Sequence, residues 1–181
     1  MTVVETERLR LRELTLDDGA FILRLLNDPA WIEFIGDRGV RTLDAARAYL
    51  VDGPIKMYRE HGLGLWLVET KAGGAPAGLC GLIKRPTLDD IDLGYAFLPE
   101  FRGRGFAFES AAASLAHGRS VLALRRIIAL CKPTNARSIA LLHRLGFRFE
   151  RMIPFPTAAD SSSLFAIGDA PRHDSGATTP D

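Results

Sequence analysis

The segment Arg102-Gly103-Arg104-Gly105-Phe106-Ala107 is the part of this sequence best equipped for chemistry. Two glycines one residue apart let a backbone turn sharply and present successive N–H groups. A helix that starts just after them adds its own unpaired N–H groups and a partial positive charge. The combination predicts an anion socket, and a diphosphate fits it. Arg102 and Arg104 would add full charges with the bidentate geometry a guanidinium offers a phosphate. The dinucleotide fingerprint G-x-G-x-x-G is incomplete, because Phe108 stands where its third glycine belongs. The Gly-Lys-Ser/Thr of a P-loop is absent. On spacing alone, an ordinary glycine turn before a helix is an equal reading.

The elements around this segment must hold it. The chain has 181 residues, 47% hydrophobic and 25% charged, the make-up of one ordinary globular domain. A chain of this length supports a sizeable core without metal or disulfide. Lys and Arg total 23 against 22 Asp and Glu, a formal charge of +1, which argues against nucleic-acid or anionic-membrane partners. Cys80 and Cys131 sit in apolar runs, with no C-x-x-C pair and no His cluster. They read as core thiols, and no metal site is expected. His61, His117, His143 and His173 have no Ser/Asp partner at triad spacing and read as surface residues. The first residues, MTVVETERLRLREL, have no signal-like apolar stretch, and no run is long enough to span a membrane, so a cytoplasmic location is expected.

Leu9 and Leu11 alternate with arginines as a first strand. Thr15 opens a helix with Phe21, Ile22, Leu25 and Leu26 on one face, and Asn27-Asp28-Pro29 is expected to stop it. A second helical stretch from Thr42 is interrupted or restarted at Gly53-Pro54. Residues 63–84 read as a β-hairpin, IDLGYAFL as a strand, FESAAASLAHGRSVL as an Ala-rich helix and RRIIALCKP as a strand. Thr134-Asn135 opens another helix that Gly146 ends, and FRFERMIPF and SSSLFAIG read as strands. The expected fold is α+β: a single, mixed, mostly antiparallel sheet with helices on both faces, over residues 1–167. Residues 168–181 read as a disordered tail.

The run R-x-x-G-x-A directly follows a strand ending Phe97-Leu98-Pro99, and Asn135-Ala136-Arg137-Ser138 and Leu145-Gly146-Phe147 come later. With ERLRLREL and DLGYAFLPEFRGRGFAFESA, this ordered set resembles the GNAT superfamily of acetyl-CoA-dependent N-acetyltransferases. Within it, the chain resembles the branch containing ribosomal-protein N-terminal acetyltransferases. The likeness covers about residues 5–155.

The resemblance implies a sheet splayed in the middle, with the pantetheine arm of acetyl-CoA in the gap, paired to backbone near Phe97 and Leu98. The diphosphate would lie on the N–H groups of Gly103, Arg104, Gly105, Phe106 and Ala107, beside Arg102. Asn135 would reach the pantetheine or a water bound to it. An attacking amine must be neutral, so a base is required. Asp92 stands where relatives often carry Glu, and would act through a bridging water. Backbone N–H near Phe97 or Leu98 would hold the oxyanion. The tyrosine acid common in the family's last helix is replaced by Leu142, and Ser138 is the nearest substitute. Trp31, Phe34, Trp66 and Tyr95 would wall the acceptor pocket, and His143 would lie near the adenine. The implied reaction is direct acetyl transfer to a primary amine, either a protein N-terminus or a small molecule. A catalytically silent CoA-binding module is the alternative reading, and a homodimer is compatible with either.

Overall fold

The computed structural model describes residues 1–154 and 161–169. Eight strands form one sheet in the order β1-β2-β3-β4-β5-β6-β8-β7. They are β1 Thr2–Glu5, β2 Leu9–Arg12, β3 Leu65–Thr70, β4 Pro76–Lys84, β5 Ile91–Phe97, β6 Arg126–Cys131, β7 Arg148–Pro154 and β8 Ser161–Gly168. Every neighbouring pair is antiparallel except β5 and β6, which run parallel. The helices are α1 Gly19–Leu26, α2 Pro29–Phe34, α3 Leu43–Leu50, α4 Lys56–His61, α5 Phe106–Ser120 and α6 Ala136–Arg144. A π turn, Val51–Ile55, joins α3 to α4 at Gly53-Pro54. Among the described residues, no helix is long and apolar enough to cross a membrane.

The period of two along the strands divides the core. Trp66 and Val68 of β3 and Cys80 and Leu82 of β4 face α5, where they meet Phe106, Ala111 and Leu115. Leu67 and Leu79, one residue out of phase, face α1 and α3 and pack with Ile22, Leu25 and Leu50. Helices therefore cover both sheet faces, as the sequence predicts.

Three expectations are corrected. Strand β1 precedes the one read from Leu9 and Leu11; its half-exposed residues carry little apolar pattern. Asn27-Asp28-Pro29 ends α1 but also starts α2. Asp28 Oδ1 accepts from the Ala30 and Trp31 amides at 3.1 and 3.3 Å, and Pro29 occupies the first helical position, where a missing N–H costs nothing. The expected tail begins too early, since Gly168 ends β8 and Asp169 pairs with Arg125 at 2.7 Å; residues 170–181 lie outside the described residues.

The entry to α1 is held by charge. Arg12 makes a two-pronged pair with Asp18 at 2.8 Å on each oxygen, and its Nε donates to Glu69 at 2.8 Å. Burial would raise the Asp18 carboxyl, but the Arg12 bonds and the Thr15 amide outweigh it and hold it below 3.8. A depressed folded value contributes stability above that pH, lost as pH falls through the folded value. Arg12→Met leaves Asp18 buried without its counter-ion. The expected loss is about 2–4 kcal/mol, read as a lower midpoint in urea at pH 7, and the loss should shrink as pH falls below 3.8.

Candidate active site

Strand β5 pairs with β4 along its whole length, from Lys84↔Ile91 to Gly78↔Phe97. It pairs with β6 only at Ile91↔Ile127 and Asp92↔Ile128, and beyond that the two strands part. Asp92 sits at the point of parting, 1% exposed. Its Oδ1 accepts the Leu130 amide at 3.2 Å, a bond the interrupted ladder no longer supplies, and its Oδ2 accepts Arg85 Nε at 2.5 Å. Burial raises the Asp92 carboxyl above 3.8, with Arg85 opposing. The Leu98 amide donates to Ala77 of β4. Antiparallel alternation then turns the N–H groups of Tyr95 and Phe97 away from β4, toward the split.

At the end of the split lies the glycine loop. Gly103 (φ 72°) and Gly105 (φ 81°) are both left-handed, a conformation that favours glycine, and Gly105 leads directly into α5. Among the described residues, no carbonyl or side chain accepts a hydrogen bond from the amides of residues 103–108. Six successive free donors therefore stand at a helix N-terminus, an arrangement suited to a diphosphate.

The loop's arginines are used differently from expectation. Arg102 Nε donates to the Phe97 carbonyl at 2.8 Å and its Nη2 pairs with Asp28, so it ties the end of β5 to α2. Arg104 packs its guanidinium over Phe106, 5.1 Å from the ring centre, and faces a separate groove with Arg8 and Lys71. Arg8 donates to the Arg104 carbonyl at 3.1 Å and pairs with Glu109, bracing the loop from behind. Leu98 is also corrected. It is 2% exposed in the core, and its amide is already engaged by Ala77. Phe97, one residue earlier, lines the cleft.

The split and the loop open into a cleft of about 900 Å³. Its far wall is α6. Asn135 caps that helix, its Oδ1 accepting the Ser138 amide at 3.1 Å, and among the described residues nothing accepts from its Nδ2. Ser138 Oγ lies 2.6 Å from Tyr95 Oη, so a hydroxyl pair spans the cleft from α6 to β5. Burial holds the Tyr95 hydroxyl protonated, and Ser138 partly offsets that effect. Leu142 is buried, with no polar group to offer. Cys131 also lines the cleft, and burial raises its thiol. Cys80 lies in the core and is pushed up to about 11. Neither thiol has a base beside it.

The sequence reading missed two cations on this wall, Arg137 and Arg144. Their seven-residue spacing, two helical turns, was the available signal. Arg144 also lies over the Phe108 ring at 4.7 Å.

At the opposite end, Trp31 and Phe34 of α2 and Tyr95 line the cleft. Trp66 does not. It is 1% exposed in the α5-facing core, edge-on to His117 at 5.3 Å between ring centres. The alternation along β3 points it to the face opposite Leu65 and Leu67, and Leu65 is the β3 residue that reaches the cleft. His143 packs edge-on against Phe165 at 5.5 Å and is not among the cleft residues.

Comparison with known proteins agrees with this geometry. Residues 8–148 match the family model described as an acetyltransferase (GNAT) domain. The chain is 28% identical to the uncharacterized protein YkkB of Bacillus subtilis strain 168 over 84% of this chain and 88% of the relative. Its fold is similar to that of a GNAT-family acetyltransferase from Bacillus anthracis, with 23% identity, a TM-score of 0.76 and coverage of 93% and 98% of the two chains. It is also similar to RimL, a ribosomal α-N-protein acetyltransferase solved in complex with coenzyme A, with 18% identity, a TM-score of 0.80 and the same coverage. A split sheet with a free-amide loop at its mouth, matched by the family model over most of the chain, places this protein in the GNAT acetyltransferase family, with acetyl-CoA as its co-substrate.

Proposed function

We propose that this chain transfers the acetyl group of acetyl-CoA directly to a primary amine while both are bound. The observation that carries the reading is the row of free N–H groups at 103–108 opening onto the split between β5 and β6. Acetyl-CoA brings the activated thioester; the chain positions it and moves protons. The amides of residues 103–107 hold the diphosphate. The gap-facing N–H groups of β5 and the Asn135 amide group pair with the pantetheine arm. The Phe97 N–H receives the negative charge that develops on the carbonyl oxygen.

Asp92 accepts the proton of the incoming ammonium through a water, using the second lone pair that each of its bonded oxygens retains. The neutral amine then forms the C–N bond as the C–S bond breaks. Ser138, hydrogen-bonded to Tyr95, gives its proton to the thiolate and is replenished by the second proton that leaves the acylated nitrogen, while the proton held by Asp92 passes to solvent. The raised thiols of Cys131 and Cys80 argue for direct attack over an acyl-enzyme. Trp31, Phe34 and Tyr95 wall the acceptor, which is either a protein N-terminus, as RimL's name states for that protein, or a small amine.

The experiment measures free thiol released from acetyl-CoA against a panel of amines and N-terminal peptides. The expected result is release that requires an acceptor and leaves no acetyl group on protein treated with acetyl-CoA alone. Binding of CoA without release across the panel would favour the silent module.

A further inference from the structure

Resting on that reading, we propose that the acceptor is an amine that also carries a carboxylate. The acceptor end of the cleft carries hydrogen-bond donors that no group among the described residues accepts from. Trp31 is 5% exposed, and its indole N–H is buried with no partner among the described residues. Such a group destabilises the fold unless something accepts its proton. Arg38, four residues beyond α2, lines the same cleft and has no ion pair or hydrogen bond among the described residues, whereas Arg41 beside it is paired with Asp37. Tyr49 of α3 lines the cleft as well. Burial raises its hydroxyl, and the positive charges of Arg38 and Arg85 both act on it in the opposite sense. Arg38, Arg85 and Tyr49 all line this one cleft.

The cleft's own carboxylates do not balance these donors. Asp28 is taken by Arg102 and by the cap of α2, and Asp92 by Arg85 and Leu130. An acceptor with only cationic groups would bring a second positive charge toward Arg38 and find no free acid. A carboxylate supplies what is missing: acceptor lone pairs for Trp31 and Tyr49 and a negative charge for Arg38. The remaining lining at this end, Phe34, Ile35, Pro54, Met57 and Ile83, is apolar, so the linker between amine and carboxylate is expected to be short and hydrocarbon-rich. The same chemistry comes from a free amino acid or from an N-terminal Asp or Glu of a peptide.

The test compares kcat/KM for free amino acids, including β-alanine and γ-aminobutyrate, with each compound's carboxamide. A second arm uses peptides beginning Asp or Glu against those beginning Asn or Gln. Wild-type protein is expected to prefer the carboxylate by at least tenfold in one arm, and the arm identifies the source. Arg38→Gln should reduce that preference at least tenfold within the same variant. Trp31→Phe, which keeps an aromatic ring and removes the N–H, should reduce it by a smaller factor. Equal use of carboxylate and carboxamide by the wild type, or an unchanged preference in Arg38→Gln, overturns the proposal while leaving amine acetylation intact. Absence of acetylation of every amine would overturn the underlying reading as well.

Discussion

Ala107→Asp is expected to move folding and cofactor binding in opposite directions. Ala107 occupies the second position of α5 and lines the cleft beside the free amides. A carboxylate in a first helical turn stabilises the helix by about 0.3–1 kcal/mol. The melting temperature of the unliganded variant should therefore hold or rise slightly. The same carboxylate competes for the amides of residues 103–108 and repels a diphosphate. A like charge 4 Å away costs about 4 kcal/mol at the effective dielectric of a protein surface. Screening lowers that figure, and KM for acetyl-CoA should rise on the order of a hundredfold. In the wild type, ligand at a hundred times Kd stabilises by about 2.7 kcal/mol, a shift of roughly 5–10 °C for a chain of this size. That shift should fall to about 1 °C in Ala107→Asp at the same concentration. A variant that is stable yet still responds to acetyl-CoA like the wild type would show that the diphosphate does not use this loop.

Asp92→Asn carries the other large effect. If Asp92 is the base, kcat/KM falls by about a hundredfold or more. The pH profile is the sharper readout. A base works only when deprotonated, and burial raises Asp92 above 3.8, so the wild-type profile should climb through an inflection above that value, separate from the one due to the amine itself. In Asp92→Asn only the amine's inflection should remain. Stability changes in a defined direction. Because the folded state binds the Asp92 proton more tightly than the unfolded chain, the associated stability is full below pH 3.8 and is lost as pH rises through the folded value. Asn does not titrate. The melting-temperature difference between the two proteins should therefore shift against the wild type across that range. An Asp92→Asn enzyme with undiminished kcat/KM and an unchanged profile would restrict Asp92 to holding β5 and β6 at their parting.

The two variants probe different kinds of knowledge. The glycine loop was readable locally: both glycines adopt the left-handed backbone that their spacing suggested, and Asn135 caps α6 through Ser138 as its position before the helix implied. The hairpin, α5 and α6 were readable because period and caps are carried within a dozen residues. Asp92 was readable as a position, but not as a buried one. Its surroundings come from Arg85, seven residues earlier, and Leu130, thirty-eight residues later.

By itself, the sequence determined the order of most elements, the two-sided apolar pattern that builds the sheet's core, and a glycine turn that leads into a helix. Those properties depend on backbone preference and on side-chain spacing along one segment. Tertiary structure decided where the charges went. Arg102 turned to Asp28, Arg104 to Phe106, Trp66 into the core, and Arg38 was left without an acid among the described residues. A long side chain's partner is chosen by what other elements bring within a few ångströms, and no local pattern in the chain encodes that meeting.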